Sequence, residues 1–279
     1  MPDALFPFPT SLPLDRIAAG EIRMAATIAG EGRAVVLVHG LGWDRNLWRP
    51  QVERLSGRYR VIAADTRGHG ESDKPDGPYS IDQYAADWAA LLDALGVAGA
   101  CVVGFSQGGM TAQILAAKRP DLVSALCLVS TSGKFQEAGR ANMEKRLAAQ
   151  AAEGAEAAAR VAADSVFSEA WRAAHPAELA RFVAWRAGHD QSALAHAMRA
   201  GYGYDATVHH AGLAMPVLVL AGTADTLTPP AGMRDIAAAI PNAAYAEVPG
   251  AGHMIPIEQP AAFDAALDGF LDKHHPAAG

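Results

Sequence analysis

Cysteine is nearly missing from this 279-residue chain: there are two, Cys101 and Cys127, each inside an apolar, β-branched stretch. Two thiols cannot form the dense staples of a small secreted scaffold, and these surroundings mark them as buried core residues rather than a disulfide pair. Charged residues are sparse at 19%, and the acidic ones behind the formal net charge of −7 are spread along the chain instead of gathered in runs. That dispersed negative balance favours solubility and argues against nucleic acid or an anionic membrane surface as a partner. No apolar stretch is long enough to span a bilayer. The opening segment, residues 1–14, is apolar but broken by Pro2, Pro7, Pro9 and Pro13, and it lacks a basic leader. It does not read as a secretory signal, so a cytoplasmic location is the expectation.

Hydrophobic residues make up 51% of the chain. That is enough for a sizeable core, and the length suits one large α/β domain with room for a modest insertion. Short β-branched runs recur at residues 34–38, 60–64, 100–105, 125–129, 216–221 and 244–248, the pattern of strands buried on both faces of a parallel sheet. Residues 14–28 add one or two strands at the sheet edge. Amphipathic helices lie between the runs. One opens at Ser80 with Gln83 three residues on, a capping-box signature, and runs to about Gly96. Another follows Ser106 and ends near Lys118-Arg119-Pro120, where basic residues suit a helix C-terminus and proline stops it. Alternating strands and helices imply right-handed βαβ units. The rhythm breaks over residues 133–212, which are rich in Ala, Glu and Arg at helical spacing and carry Trp171, Phe182 and Trp185; their aromatic content disfavours disorder. The expected organisation is a core of residues 1–132 and 213–279 with a helical cap of residues 133–212.

Gly104-Phe105-Ser106-Gln107-Gly108 matches G-x-S-x-G and stands between an apolar strand and a helical run. That context makes it a nucleophile elbow, a sharp turn holding Ser106 in a strained backbone conformation, with tiny residues two before and two after. The helix starts at the serine, so its free N–H groups and positive dipole end face a developing oxyanion. Serine is a weak nucleophile at neutral pH and needs a base. Of ten histidines, His253 is the best placed, in the glycine-rich loop 249–253 that follows the last strand. The imidazole needs a carboxylate to set its tautomer and stabilise its charged form. Asp225, just past the run 216–221, is the first choice, because the alternative position carries Ser130-Thr131-Ser132 and no acid. Asp65 precedes the nucleophile and reads as an anchor for the Arg67-Gly68-His69-Gly70 turn. Two backbone N–H groups would form the oxyanion hole, those of Gln107 and of Leu41 in the loop His39-Gly40-Leu41-Gly42; the His39 side chain reads as a brace for that loop. Trp43, Trp185 and Met254 are candidate pocket residues, each also compatible with ordinary packing.

The string His39-Gly40, Asp65-Thr66-Arg67-Gly68-His69-Gly70-Glu71-Ser72, residues 104–109, Asp225 and His253 resembles the α/β-hydrolase superfamily. Within it, residues 77–84 and 222–225 are similar to the small carboxylesterase and 3-oxoadipate enol-lactonase group. The resemblance implies the α/β-hydrolase fold, a mostly parallel eight-stranded sheet flanked by helices with a helical cap, and no cofactor or metal. It implies a serine hydrolase cleaving small-molecule carboxylic esters or lactones through an acyl-enzyme. An enol-lactone substrate also needs a partner for its carboxylate; Arg140, Arg172 and Arg186 are available, although each reads first as a solvated helix charge. Ser106 counts against dehalogenases and epoxide hydrolases, whose nucleophile is an aspartate. Two alternatives stand beside the esterase reading: a carbon–carbon bond hydrolase using the same triad, and a ligand-binding protein that keeps the pocket and uses little chemistry.

Overall fold

The computed structural model describes residues 12–277, so the reading of residues 1–14 as no secretory signal falls mostly outside the described part. The β-branched runs form the centre of an eight-stranded sheet: β1 (Asp15–Ala19), β2 (Ile22–Ala29), β3 (Ala34–Val38), β4 (Arg60–Ala64), β5 (Ala100–Phe105), β6 (Val123–Val129), β7 (Val217–Gly222) and β8 (Ala243–Val248), in the order β1-β2-β4-β3-β5-β6-β7-β8. The segment 14–28 resolves into a hairpin, β1 on β2, turned through Gly20 at φ +63. β2 pairs antiparallel with β4, and every pairing from β4 to β8 is parallel. Strand ends shift by a residue or two from the sequence reading, most at β6, which begins at Val123.

Side chains alternate across a strand, so each central strand feeds two cores. Val36, Val38 and Val102 face one side, with Trp88 of α2 (Ile81–Ala94), Ile114 of α3 (Gln107–Lys118) and Met233 of α10 (Pro230–Ala239). Val35, Leu37 and Val103 face the other, with Val52 of α1 (Arg49–Leu55) and Phe263 of α12 (Pro260–His274). Cys101 and Cys127 are free, buried thiols of this second core. The start of α2 differs from the expected capping box. Ser80 Oγ accepts from Gln83 N at 3.1 Å, but Gln83 Oε1 returns no hydrogen bond, so the serine alone caps the helix.

Between β6 and β7 the chain runs through α4 (Glu137–Glu153), α5 (Ala155–Val166), α6 (Glu169–Ala174), α7 (Pro176–Ala187), α8 (Gln191–Arg199) and α9 (Thr207–His210). Its aromatics form one cluster: Phe182 lies 5.1 Å from Phe167 and 5.4 Å from Trp43, centroid to centroid, and Phe167 stacks on Trp171 at 4.3 Å. Trp43 follows β3, so this cluster docks the inserted helices onto the core at the carboxyl ends of the strands. Among the described residues, no helix is long and apolar enough to cross a membrane.

Candidate active site

β5 ends at Phe105 and α3 begins at Gln107, leaving Ser106 alone at the corner with φ 54 and ψ −119, a conformation that costs a non-glycine residue on the order of 1–3 kcal/mol. The surroundings hold it there. Ser106 N donates to Val129 O at 2.9 Å, and Ser106 O accepts from Gly109 N, Met110 N and Thr131 Oγ1. The flanking glycines are required by close approach. A Cβ on Gly104 would come within 2.6 Å of Gly108 O, and one on Gly108 within 2.3 Å of Val38 O. The second glycine therefore lets α3 pack against the end of β3, which is where the loop His39-Gly40-Leu41-Gly42 begins.

The corner presents Ser106 Oγ 2.9 Å from His253 Nε2, and His253 Nδ1 lies 2.9 Å from Asp225 Oδ2. The three side chains come from three separate strand ends and form one hydrogen-bonded chain. With Asp225 ionised, Nδ1 carries the proton and Nε2 is left as the acceptor for the serine hydroxyl. Asp225 is 4% exposed. Burial by itself would raise its pKa, but the facing His253 and bonds from Thr228 Oγ1 and the Thr228 N–H hold it below the usual carboxylate value. The His253 loop has a brace absent from the sequence reading. Glu258 accepts from Gly252 N and Met254 N on either side of the histidine, and from Ser168 N of the inserted segment.

The proposed oxyanion loop is also pinned. His39 Nδ1 donates to Gly40 O at 2.8 Å and its Nε2 accepts from Thr66 N at 2.9 Å, the bracing role expected of it. Asp65 accepts from Arg45 N, Arg45 Nη1 and Glu71 N, and a Cβ on Gly70 would strike its carboxylate at 2.2 Å, so it anchors the turn as read from the sequence. Leu41 and Gln107 both line the cavity that opens on Ser106. Gln107 is the first residue of α3, where helical N–H groups have no partner within the helix.

This cavity of about 370 Å³ is lined mainly by apolar groups, including Trp43, Met110, Phe135, Met143 and Val166, together with Ser106 and His253. Of the three candidate pocket residues, Trp43 lines it and the other two do not. Trp185 packs behind Trp43 at 5.4 Å and against His189, while Met254 is fully buried in the core beneath. Arg186 requires a further correction. It is 4% exposed rather than solvated, and it donates to Leu41 O and Gly42 O. Arg172 and Arg140 do pair with nearby acids, Asp164 and Glu137.

The arginine that does line the cavity is Arg146, on the inner face of α4 with Gly139, Asn142 and Met143. It too is 4% exposed, bonds Ser165 Oγ at 2.6 Å and leaves Nε without a partner. Burial draws its pKa down to about 10, which keeps it charged at neutral pH. Its sequence context, a lysine and arginine pair on a polar helix, carries no sign of this burial.

A family model described as alpha/beta hydrolase fold matches residues 33–260. A protein of Azorhizobium caulinodans named for carbamate hydrolysis is 31% identical over 256 residues, covering 91% of this chain and 97% of its own. The 3-oxoadipate enol-lactonase 2 of Acinetobacter baylyi is 29% identical over 269 residues, covering 93% and 97%. Among solved structures, the enol-lactonase from Burkholderia xenovorans LB400 superposes with a TM-score of 0.85 at 32% identity, over 92% of this chain and 99% of that one.

Proposed function

The chain belongs to the alpha/beta hydrolase fold family, and we propose that within it the protein is a serine hydrolase cleaving carboxylic esters or lactones of small molecules. The observation that carries this reading is the hydrogen-bonded chain Ser106–His253–Asp225 at the wall of an apolar cavity. In the reaction, His253 Nε2 takes the proton of Ser106 Oγ as the oxygen attacks the substrate carbonyl. Asp225 stabilises the imidazolium without itself taking the proton. The N–H groups of Leu41 and Gln107 receive the oxyanion, each worth about a hundred- to a thousand-fold in rate. The tetrahedral intermediate collapses, His253 hands its proton to the leaving alkoxide, and the acyl group stays on Ser106. Water, deprotonated by the same imidazole, then releases the acid; from a lactone, alcohol and acid remain one molecule.

The inserted helices act in this reading as a cap, closing the cavity over the acyl group. Arg146 refines the substrate class. A buried guanidinium with no carboxylate in ion-pair range among the described residues costs several kcal/mol, and an anionic group on the substrate would offset that cost. The substrate we infer is therefore an ester or lactone with an apolar body and a carboxylate directed at α4. The enol-lactonase relatives favour the lactone form.

A short-chain p-nitrophenyl ester and a lactone panel test the reading together with an organophosphonate. The expected results are turnover, an adduct on Ser106 by mass spectrometry, and loss of about a million-fold in Ser106→Ala. An adduct on another residue, or appreciable turnover by Ser106→Ala, would overturn the assignment. A wild-type protein inert to both substrate classes and to the phosphonate would favour the ligand-binding alternative.

A further inference from the structure

We propose that Arg186 is a positioning residue that locks the oxyanion loop into its working geometry from the inserted helices, so that the oxyanion hole is complete only when those helices are seated on the core. The proposal rests on the serine-hydrolase reading above and concerns a residue outside the cavity lining.

Arg186 stands in the last turn of α7, a place where an arginine ordinarily reaches into water and favours the helix dipole. Here the guanidinium instead lies against the backbone of the loop after β3. Nη1 donates to Gly42 O at 2.6 Å and to Leu41 O at 3.1 Å. The approach is so close that a Cβ on Gly42 would meet Nη1 and Cζ at 2.0 and 2.1 Å, so the guanidinium occupies the place of the missing side chain. No carboxylate lies in ion-pair range of Arg186 among the described residues. Its charge is met by carbonyl dipoles, with the like charge of Arg146 nearby, and a cation buried in this way would not be retained for packing by itself.

The bonds bear directly on Leu41. A trans peptide is planar, with its C=O and N–H pointing in opposite directions. The Leu41 N–H belongs to the same unit as Gly40 O, which is drawn away by His39 Nδ1 and Trp43 N. The next unit carries Leu41 O, which Arg186 holds. Peptide planes on both sides of the Leu41 Cα are thereby fixed, one by the core and one by α7. Arg186 also holds Gly42 O, whose peptide unit carries the Trp43 N–H that bonds Gly40 O at 3.2 Å, so removing Arg186 loosens one of the two bonds that orient the Leu41 N–H, which would then sample orientations that miss the oxyanion. Placement matters more than presence here, since a misplacement of about 1 Å can cost about a hundred-fold in rate. Arg186 does not line the cavity that holds Ser106, so its loss should leave ground-state binding of a small ester almost untouched.

The test compares Arg186→Met, Arg186→Lys and Arg186→Ala with the wild type, using p-nitrophenyl acetate and a boronic acid whose tetrahedral Ser106 adduct places an oxygen in the oxyanion hole. For Arg186→Met we expect kcat to fall about 30- to 100-fold, KM to move less than about three-fold, and boronate affinity to weaken by the same factor as kcat. Arg186→Lys should recover part of the loss, and added guanidinium ion should restore activity to Arg186→Ala. Folded variants with unchanged kcat and boronate affinity, or a rise in KM alone, would overturn the proposal. If Arg186→Met does not fold, Arg186→Lys and the guanidinium rescue decide. A wild-type enzyme phosphonylated at Ser106 whose Arg186 variants behave normally sinks only this inference. A wild-type protein that neither turns over nor reacts with the phosphonate refutes the serine-hydrolase reading, and this one with it.

Discussion

Replacing Arg146 by methionine should make the protein more stable and a worse enzyme for anionic substrates, a pairing of effects that a packing residue would not produce. The guanidinium is 4% exposed, and its one side-chain partner is the neutral Ser165 Oγ. A second uncompensated cation stands near enough to matter: burial first, and then Arg146, brings Arg186 down to about 9. At an effective dielectric constant of about 20, a carboxylate about 4 Å from the guanidinium gains roughly 4 kcal/mol of direct attraction. Desolvating the carboxylate takes back part of this, and charged hydrogen bonds typically net about 1.5–3 kcal/mol. That range corresponds to roughly 10- to 150-fold in kcat/KM. The assay compares p-nitrophenyl esters of a neutral acid and of a dicarboxylic acid of equal chain length. The wild type should prefer the charged ester, and Arg146→Met should lose that preference by the stated factor while its rate on the neutral ester changes less than about three-fold. Without substrate, methionine removes a buried charge while keeping an unbranched side chain, so the melting temperature should rise by several degrees, corresponding to about 1–3 kcal/mol. An unchanged preference ratio, or equal losses on both esters with a lowered melting temperature, would refute the argument.

Asp65→Asn leaves Arg45, which is 1% exposed, without its buried counter-charge, and should cost about 3–5 kcal/mol in urea unfolding; a cost under about 1 kcal/mol would mean that Glu71 suffices. Stability should also fall with acid, because His189 and His275 are each brought down to about 4, chiefly by burial. Their folded pKa values lie below the unfolded value of about 6.5, so protonation favours the unfolded chain. Their contribution is complete above about pH 6.5 and is lost as pH falls toward 4. Melting temperatures measured between pH 7.5 and 5 should drop, the doubly substituted His189→Gln, His275→Gln protein should show a flatter profile, and an unaltered slope would refute the assignment.

The core of the fold is legible because its signals are local. A buried parallel strand is a short β-branched run, and 34–38, 60–64 and 100–105 are read to the residue. The hydrogen-bonded chain is legible for a related reason. Ser106, Asp225 and His253 each follow a strand end, and parallel strands bring their carboxyl ends to one edge of the sheet. Braces supplied by neighbouring strand loops are harder to read: Thr131 on the Ser106 carbonyl is one hydroxyl among Ser130-Thr131-Ser132, and nothing local selects it.

The inserted helices show where this kind of legibility stops. Helical periodicity tells which face of α4 or α7 turns inward, but it does not tell whether that face meets another side chain, a backbone or an open space. Arg140, Arg146, Arg172 and Arg186 all sit on helices that mix alanine with charged residues, yet the first and third pair with local acids while the second and fourth are buried. The difference comes from contacts across long separations. Arg186 meets Gly42 about 144 residues away, and α4 stands across a cavity from Ser106. Burying an unpaired guanidinium violates the rule by which a sequence is normally read, that charges lie in water. Such violations persist where the protein gains something other than stability. Of the four arginines, the two that break the rule are therefore the two we assign to the chemistry, one proposed to meet the substrate's carboxylate and the other to hold the loop proposed to receive the oxyanion.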